Sequence, residues 1–402
     1  MTDTLGKPAR VEWLDAGRAV VLASMVWVND IAGVAAAPAW MKHYYPYDAN
    51  GITFVDVVFP AFLFIVGMAI PAAMASRQRR GEGRPEMGFH AVVRTVGLLV
   101  AGVVMVNMGS FDAAAAGWWP GVWGLAGYGA LACLFVTAPW DKRITLAVRL
   151  AGAAALVWLV MVFEGKGGKA FGPQWWGILG LIGWAYLVAT VVVMASGGRW
   201  LWMVAAAAGL LGLWYVDKWG RVFDGLWLRG VMDIGGALGT HSAIVLLGAA
   251  FFVVVQREQE RAEEAGRVWR VMGVWAVLLL AATAVLYPLG GLNKNIATPA
   301  WATVSAAATV AVLAVVRAAG AVSPKWLWVI LSLAGTNVLL GYLMSGTWYQ
   351  LLQASGWAWY GQLVAGADAG AMWMGILRAT VTAGAIVTIV AGLARVGVRL
   401  KL

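Results

Sequence analysis

The chain has 402 residues, 62% hydrophobic and 12% charged, with a formal net charge of +10. A soluble domain carries about 25% charged residues, and a mean hydropathy of +0.78 leaves no room for one here. The basic residues sit in short clusters between apolar runs, which excludes the continuous basic face of a nucleic-acid binder. The fold class expected is all-α: a polytopic integral membrane helical bundle, one domain over residues 1–402.

A membrane-spanning helix needs about 20 mostly apolar residues, and by that measure about twelve spans are expected. In chain order they are Ala16–Ala37, Ile52–Ser76, Phe89–Met108, Trp119–Pro139, Ile144–Phe163 and Trp175–Ser196. Then follow Trp200–Val216, His241–Gln256 (with a start as early as Ile234), Val271–Pro288, Thr298–Val316, Trp326–Ser345 and Ala371–Ala394. Placing the N-terminus in the cytoplasm leaves Lys42, Lys166, Lys169, Lys218, Arg221, Arg229 and Lys294 outside. The larger set, from Lys7 and Arg10 through Arg77, Arg80 and Arg261 to Lys401, falls inside. That asymmetry puts both termini in the cytoplasm. Ala35–Ala37 resembles a signal cleavage site, but the preceding run is long and interrupted by Asn29 and Asp30, so an uncleaved first span is expected. Many tryptophans fall near span ends, as headgroup-level anchors do. The single cysteine, Cys133, allows no internal disulfide.

Polar residues inside spans are costly in lipid and need a reason. In the first span Asp15 and Arg18 are three apart and can pair on one helix face. Asn29 and Asp30 lie near its outer end, where they either emerge into water or line a site. The loop Trp40-Met-Lys-His43-Tyr-Tyr-Pro-Tyr places a histidine beside Lys42 and three tyrosines, and histidine suits proton transfer near neutrality. Asp56 lies about one turn into the second span, and Pro60 removes the backbone donor that its carbonyl would otherwise receive. Asp56 either orients the His43 imidazole or pairs with Arg378 of the last span. His90 and His241 open helices and read as structural. The aromatic outer loop Thr347–Gly370, with Trp357, Trp359, Tyr360, Gln350 and Gln353, reads as an interfacial anchor or a sugar platform. Three scattered histidines and one cysteine show no metal-ligand spacing.

Several of these residues stand in motifs: Asp15-Ala-Gly-Arg18, Val28-Asn29, Lys42-His43, Asn50-Gly51-Ile-Thr-Phe-Val-Asp56-Val-Val-Phe59-Pro60 and Phe64-Ile-Val-Gly67. Later come Leu238-Gly-Thr240 with Ser242-Ala-Ile, Asn293-Lys294-Asn295 and Gly335-Thr-Asn337. Their order and spacing resemble the heparan-α-glucosaminide N-acetyltransferase family, over most of the chain. The Asp56–Pro60 block and the Asn-Lys-Asn triplet are the most specific. The resemblance implies an enzyme that takes acetyl-CoA from the cytoplasm and acetylates the amino group of a terminal glucosamine, or a related amino sugar, on the far side of the membrane. It implies catalytic roles for His43, Asp56 and Asn29 and a donor contact at Asn337. Beside the resemblance, the basic residues Arg18 and Arg94, the latter at the start of a span, are expected to hold the donor's phosphates by their charge. By the resemblance Asn293, Lys294 and Asn295 would contact substrate; Asp30 is added as a substrate contact from its place at the outer end of the first span. The resemblance also implies ten core helices and a homodimer; no metal is expected from the residues themselves.

The chain departs from the family by two extra spans, roughly residues 119–163, and by His241, where the family usually has no histidine. It also lacks the family's extra N-terminal lumenal region. These differences suggest a bacterial branch in the inner membrane. A transporter of a small polar or sugar-like solute is the alternative on composition, weakened by the lack of internal repeats. A structural membrane protein without turnover is the third reading.

Overall fold

The computed structural model describes residues 12–44, 49–260 and 265–401. Lys7, Arg10 and Arg261 of the topology argument, and Tyr45 and Tyr47 of the His43 loop, lie outside them. Helix α1 (Glu12–Ile31) is followed by α2 (Val55–Arg79) and α3 (Arg84–Ser110). Next come α4 (Val122–Phe135), strand β1 (Val136–Thr137), α5 (Lys142–Met161), α6 (Gly177–Ser196) and α7 (Trp200–Lys218). A π-helical turn over Ile234–Thr240 runs into α8 (His241–Glu260), and then α9 (Ala265–Leu286) and α10 (Pro299–Val322). The chain continues through α11 (Lys325–Ala334), α12 (Val338–Ser355), α13 (Ala358–Gln362) and α14 (Ala369–Arg395) to β2 (Arg399–Leu400).

Among the described residues nine helices are long and apolar enough to cross a membrane, or ten if a bent pair is one span. The protein is an all-α polytopic integral membrane protein. Helices close their own backbone hydrogen bonds, which the hydrocarbon core demands. α8 is buried nearly all round, as expected of a helix without a polar face at the centre of a bundle.

Three sequence expectations differ from the structure. The run Trp119–Pro139 yields only the 14-residue α4, about 21 Å long at 1.5 Å per residue. β-Branched Val136 and Thr137, just ahead of Pro139, leave the helix and pair antiparallel with Leu400 and Arg399. By contrast, the run from His241 takes the earlier of its two expected starts, at Ile234, through the π-turn. The run Trp326–Ser345 is not one helix: α11 and α12 meet at 84°. The break falls at Gly335–Asn337, where a Cβ on Gly335 would collide with the Asp15 carbonyl. Lastly, the loop Thr347–Gly370 is largely helical, taken up by the end of α12 and by α13.

Loop contacts define the two ends of the bundle. At one end Gly51 N donates to Leu292 O at 2.8 Å, Trp214 Nε1 to Ile296 O at 2.8 Å, and Trp176 Nε1 to Val231 O at 2.6 Å. At the other, β1 pairs with β2 and Arg257 reaches Gly198 O at 3.3 Å. Between them α2 and α8 touch backbone to backbone: a Cβ on Gly67 would overlap the Val245 carbonyl, and one on Gly248 the Phe64 carbonyl. Small residues permit such close approach of membrane helices. Gly67→Ala is therefore expected to destabilise the protein by about 1–3 kcal/mol, the usual cost of overpacking. A lowered thermal midpoint in detergent checks this; an unchanged midpoint would mean that the seam is looser than it looks.

Candidate active site

Helix α2 begins beside the His43 loop, and its first turn builds the site. Thr53 and Asp56 are three apart, the spacing of a helix capping box. Asp56 N donates to Thr53 O at 3.1 Å, and Thr53 N donates back to Asp56 Oδ2 at 3.0 Å. The same Oδ2 accepts Tyr44 N at 3.1 Å, and Thr53 Oγ1 donates to Lys42 O at 2.7 Å. Asp56 and Thr53 together thus clamp the chain on both sides of His43, at Tyr44 and Lys42.

Its other oxygen does the chemistry-bearing work. Asp56 Oδ1 lies 2.8 Å from His43 Nδ1 and 3.1 Å from Lys294 Nζ, and Nζ is 2.8 Å from Nδ1. Asp56 is fully buried, whereas the His43 and Lys294 side chains are 29% and 26% exposed. A buried carboxylate with two part-exposed basic partners is compensated, and the partners face outward. Two proton arrangements fit the three atoms. If Nδ1–H donates to Asp56, Nε2 keeps its lone pair and is basic. If Lys294 donates to Nδ1, the proton sits on Nε2. The pull of Asp56 on both donors favours the first.

Pro60 leaves the Asp56 carbonyl without its helical donor. Trp301 Nε1 supplies one at 3.0 Å, from the first turn of α10. The Asn293-Lys294-Asn295 loop is shaped by Asn293, whose Oδ1 accepts Asn295 N at 2.7 Å and Ile296 N at 3.3 Å. Asn293 Nδ2 donates to Ala49 O at 3.0 Å, and Asn50 Oδ1 accepts Leu292 N at 2.7 Å. The two loops are therefore stitched together, which carries Lys294 to His43. Asn293 is buried and committed to this scaffold; Asn295 is exposed beside it. Asn29 is exposed on the last turn of α1, outside the hydrogen-bonded cluster.

Asp30 is placed elsewhere. It forms a buried ion pair with Arg378 at 2.8 Å, and Tyr360 Oη donates to its Oδ2 at 3.2 Å. The Arg378 guanidinium lies 4.5 Å from the Tyr360 ring centroid. So Arg378 takes Asp30, not Asp56, as its partner. Trp348 also turns inward, to Tyr360 at 3.3 Å, while Trp357 and Trp359 stay exposed.

A cavity of about 370 Å³ opens in the interior. Phe62, Ile65, Val66 and Ala69 of α2 form one wall, beginning six residues beyond Asp56, or about 9 Å of helix rise. Arg18, Arg94 and Lys401 bring positive charge, and Gly335, Thr336 and Val338 bring the α11–α12 break. Arg18 is paired with Asp15 at 2.8 Å, as the sequence spacing predicts. Arg94 lies over the Tyr186 ring at 4.7 Å, and its Nε is buried without a hydrogen-bond partner among the described residues. The cluster around Arg77 and Arg80 lies apart from the cavity and carries its own counter-charge. Both arginines bind Glu82, at 2.7 and 3.0 Å, and their hydrogen bonds hold its carboxyl below the usual range. His90 stands 3.7 Å from the same carboxylate. Asn337 does not face the cavity with its amide: Nδ2 donates to Val398 O at 3.1 Å, and Oδ1 accepts Leu400 N at 3.0 Å.

Sequence reasoning missed Thr53, Trp301 and the 398–401 segment. The Thr-x-x-Asp spacing signals the first; nothing local signals the other two. Among the described residues no group of three or more His, Cys, Asp or Glu is placed to hold a metal.

A family model described as a domain of unknown function, DUF5009, matches residues 10–212. The chain is 33% identical over 102 residues to human heparan-alpha-glucosaminide N-acetyltransferase, covering 25% of this chain and 14% of that protein. It is 34% identical over 99 residues to the mouse protein of the same name, covering 24% and 14%. The chain thus matches about one seventh of the length of these curated relatives.

Proposed function

We propose that this chain, which belongs to the DUF5009 family and is related to heparan-alpha-glucosaminide N-acetyltransferase, is a transmembrane acetyltransferase. It moves an acetyl group from cytoplasmic acetyl-CoA to the amino group of a terminal glucosamine, or a related amino sugar, on the far side of the membrane. The observation that carries this reading is the cluster of His43, Asp56 and Lys294 at one end of the bundle. The charge pattern of the loops supports an orientation with that end outside and the 398–401 segment in the cytoplasm.

The donor fits the cavity by its chemistry. The apolar α2 wall of the cavity suits a pantetheine arm, and the buried Nε of Arg94, without a partner among the described residues, offers a donor to phosphate. Arg18 adds charge at the same place. Holding the charged nucleotide at this end spares its passage through lipid, which would be expensive.

At the other end His43 Nε2 takes a proton from the acceptor amine as the amine nitrogen bonds to the thioester carbonyl carbon. The C–S bond breaks, the thiol leaves with that proton, and the products are an N-acetyl sugar and free CoA. Asp56 holds the tautomer that keeps Nε2 basic, and Lys294 adds positive charge near the developing oxyanion. Asn29 and Asn295, both exposed near this end, are proposed to contact the sugar.

The test is free-thiol release from acetyl-CoA by the purified protein, with and without glucosamine. Glucosamine-dependent release is expected. Flux of a solute across vesicles without any thiol release would favour a transporter instead.

A further inference from the structure

We propose that Leu400 and Lys401 form a wall of the donor cavity, that Lys401 there contacts the phosphate groups of the donor, and that Asn337 is the positioning residue that holds their segment, 398–401, in place. The inference rests on the reading of the cavity as the donor site.

The segment is held from two sides. β2 pairs with β1 through Val136–Leu400 and Thr137–Arg399, and Lys401 N donates to Phe135 O at 2.9 Å. Thr137 Oγ1 adds a bond to Arg399 O at 3.1 Å. On the opposite side Asn337, 1% exposed, uses both ends of its amide on the segment, donating to Val398 O and accepting from Leu400 N. A buried side chain that satisfies one backbone donor and one acceptor of a distant strand fixes that strand's position, not merely its presence.

What the segment brings to the cavity is specific. Leu400 is buried and supplies apolar wall, and Lys401 is exposed and stands at the rim. Lys401 joins Arg18 and Arg94, and among the described residues that line the cavity none is acidic. Asp15, which does not line the cavity, is paired with Arg18. Arg94 already rests one face on Tyr186, so the guanidinium edge remains for an in-plane anion. Arg94 and Lys401 beside the paired Arg18, in a cavity whose described lining residues include no carboxylate, favour a phosphate-bearing ligand with an uncharged tail. The sequence could not show this. Asn337 matches a motif position of the resembled family and reads as a ligand contact, whereas its amide is spent on the backbone that presents Lys401.

The experiment is equilibrium binding of CoA to the full-length protein in phosphatidylcholine nanodiscs, with pantetheine as the phosphate-free control. Lys401→Ala is expected to weaken CoA binding about tenfold, a typical loss for one charge-assisted contact, with pantetheine binding unchanged. Lys401→Arg should retain CoA binding. Asn337→Asp replaces the donor to Val398 O with an acceptor. It is expected to weaken CoA binding similarly, and the double variant should be little worse than either single one. Equal CoA affinity in wild type and Lys401→Ala would overturn the inference while leaving the cavity reading intact. Loss of pantetheine binding along with CoA would reduce Lys401 to a structural part and also overturn it. If the wild type binds no CoA but Lys401→Ala loses affinity for phosphatidylglycerol, the anion is a lipid phosphate, and both readings fall.

Discussion

His43→Ala is expected to lower glucosamine-dependent thiol release by about 10²- to 10⁴-fold, the usual contribution of a positioned general base. The imidazole is the group whose removal takes the reacting nitrogen with it. Its partners survive the change. Asp56 keeps the N–H groups of Tyr44 and Thr53 and the Lys294 ammonium. The buried carboxylate is therefore not orphaned, and the thermal midpoint should move little. The loss should fall on kcat, with donor binding at the distant cavity unchanged. Measuring kcat, the donor KM and the midpoint together separates a chemical role from a structural one. Full transfer by the variant at saturating acceptor would remove His43 from the mechanism. A loss of rate matched by a loss of folding would reduce it to a loop anchor.

Arg378→Ala should cost about 3–5 kcal/mol of stability, the penalty for breaking a buried ion pair from one side. Arg378 is 9% and Asp30 1% exposed at the side chain. The guanidinium also donates to Tyr360 O at 2.9 Å and to Asp30 O at 3.1 Å. Its removal strands a carboxylate inside the bundle and takes from α13 the bond to Tyr360 O that ties it to α14. The readout is thermal or denaturant unfolding in detergent. The double variant Asp30→Asn with Arg378→Ala removes the stranded charge and should recover part of the loss. A double variant no more stable than the single one would show that packing against Tyr360, not charge, carries the effect. Activity per folded molecule should be retained, since this cluster shares no residue with the His43 cluster.

Much of the fold was legible because lipid imposes a simple rule: about 20 apolar residues per span, with backbone bonds closed inside each helix. Hydropathy is local, so it locates α2, α3, α5, α6, α7, α9, α10 and α14 closely. It fails where an apolar run serves two structures. The run ending at Pro139 gives its last residues to a strand whose partner is Arg399–Leu400. The run from Trp326 is broken at Asn337, whose amide is recruited by that same segment. No local pattern carries this information, because the partner is more than 60 residues away.

The site divides in the same way. Sequence alone singled out His43 and Asp56, one a rare histidine in an aromatic loop and the other a carboxylate at a helix start, and the freed carbonyl ahead of Pro60. It paired Asp15 with Arg18, since three residues along a helix settle which side chains meet. It named Lys294 and Asp30 as well, but not what each would touch. The tertiary structure brought Lys294 to His43 across 251 positions and gave Asp30, rather than Asp56, to Arg378. The physical reason is that composition and periodicity decide whether a residue sits in a helix and how deep. The identity of its partner depends on which helix faces pack together, and only the assembled bundle decides that.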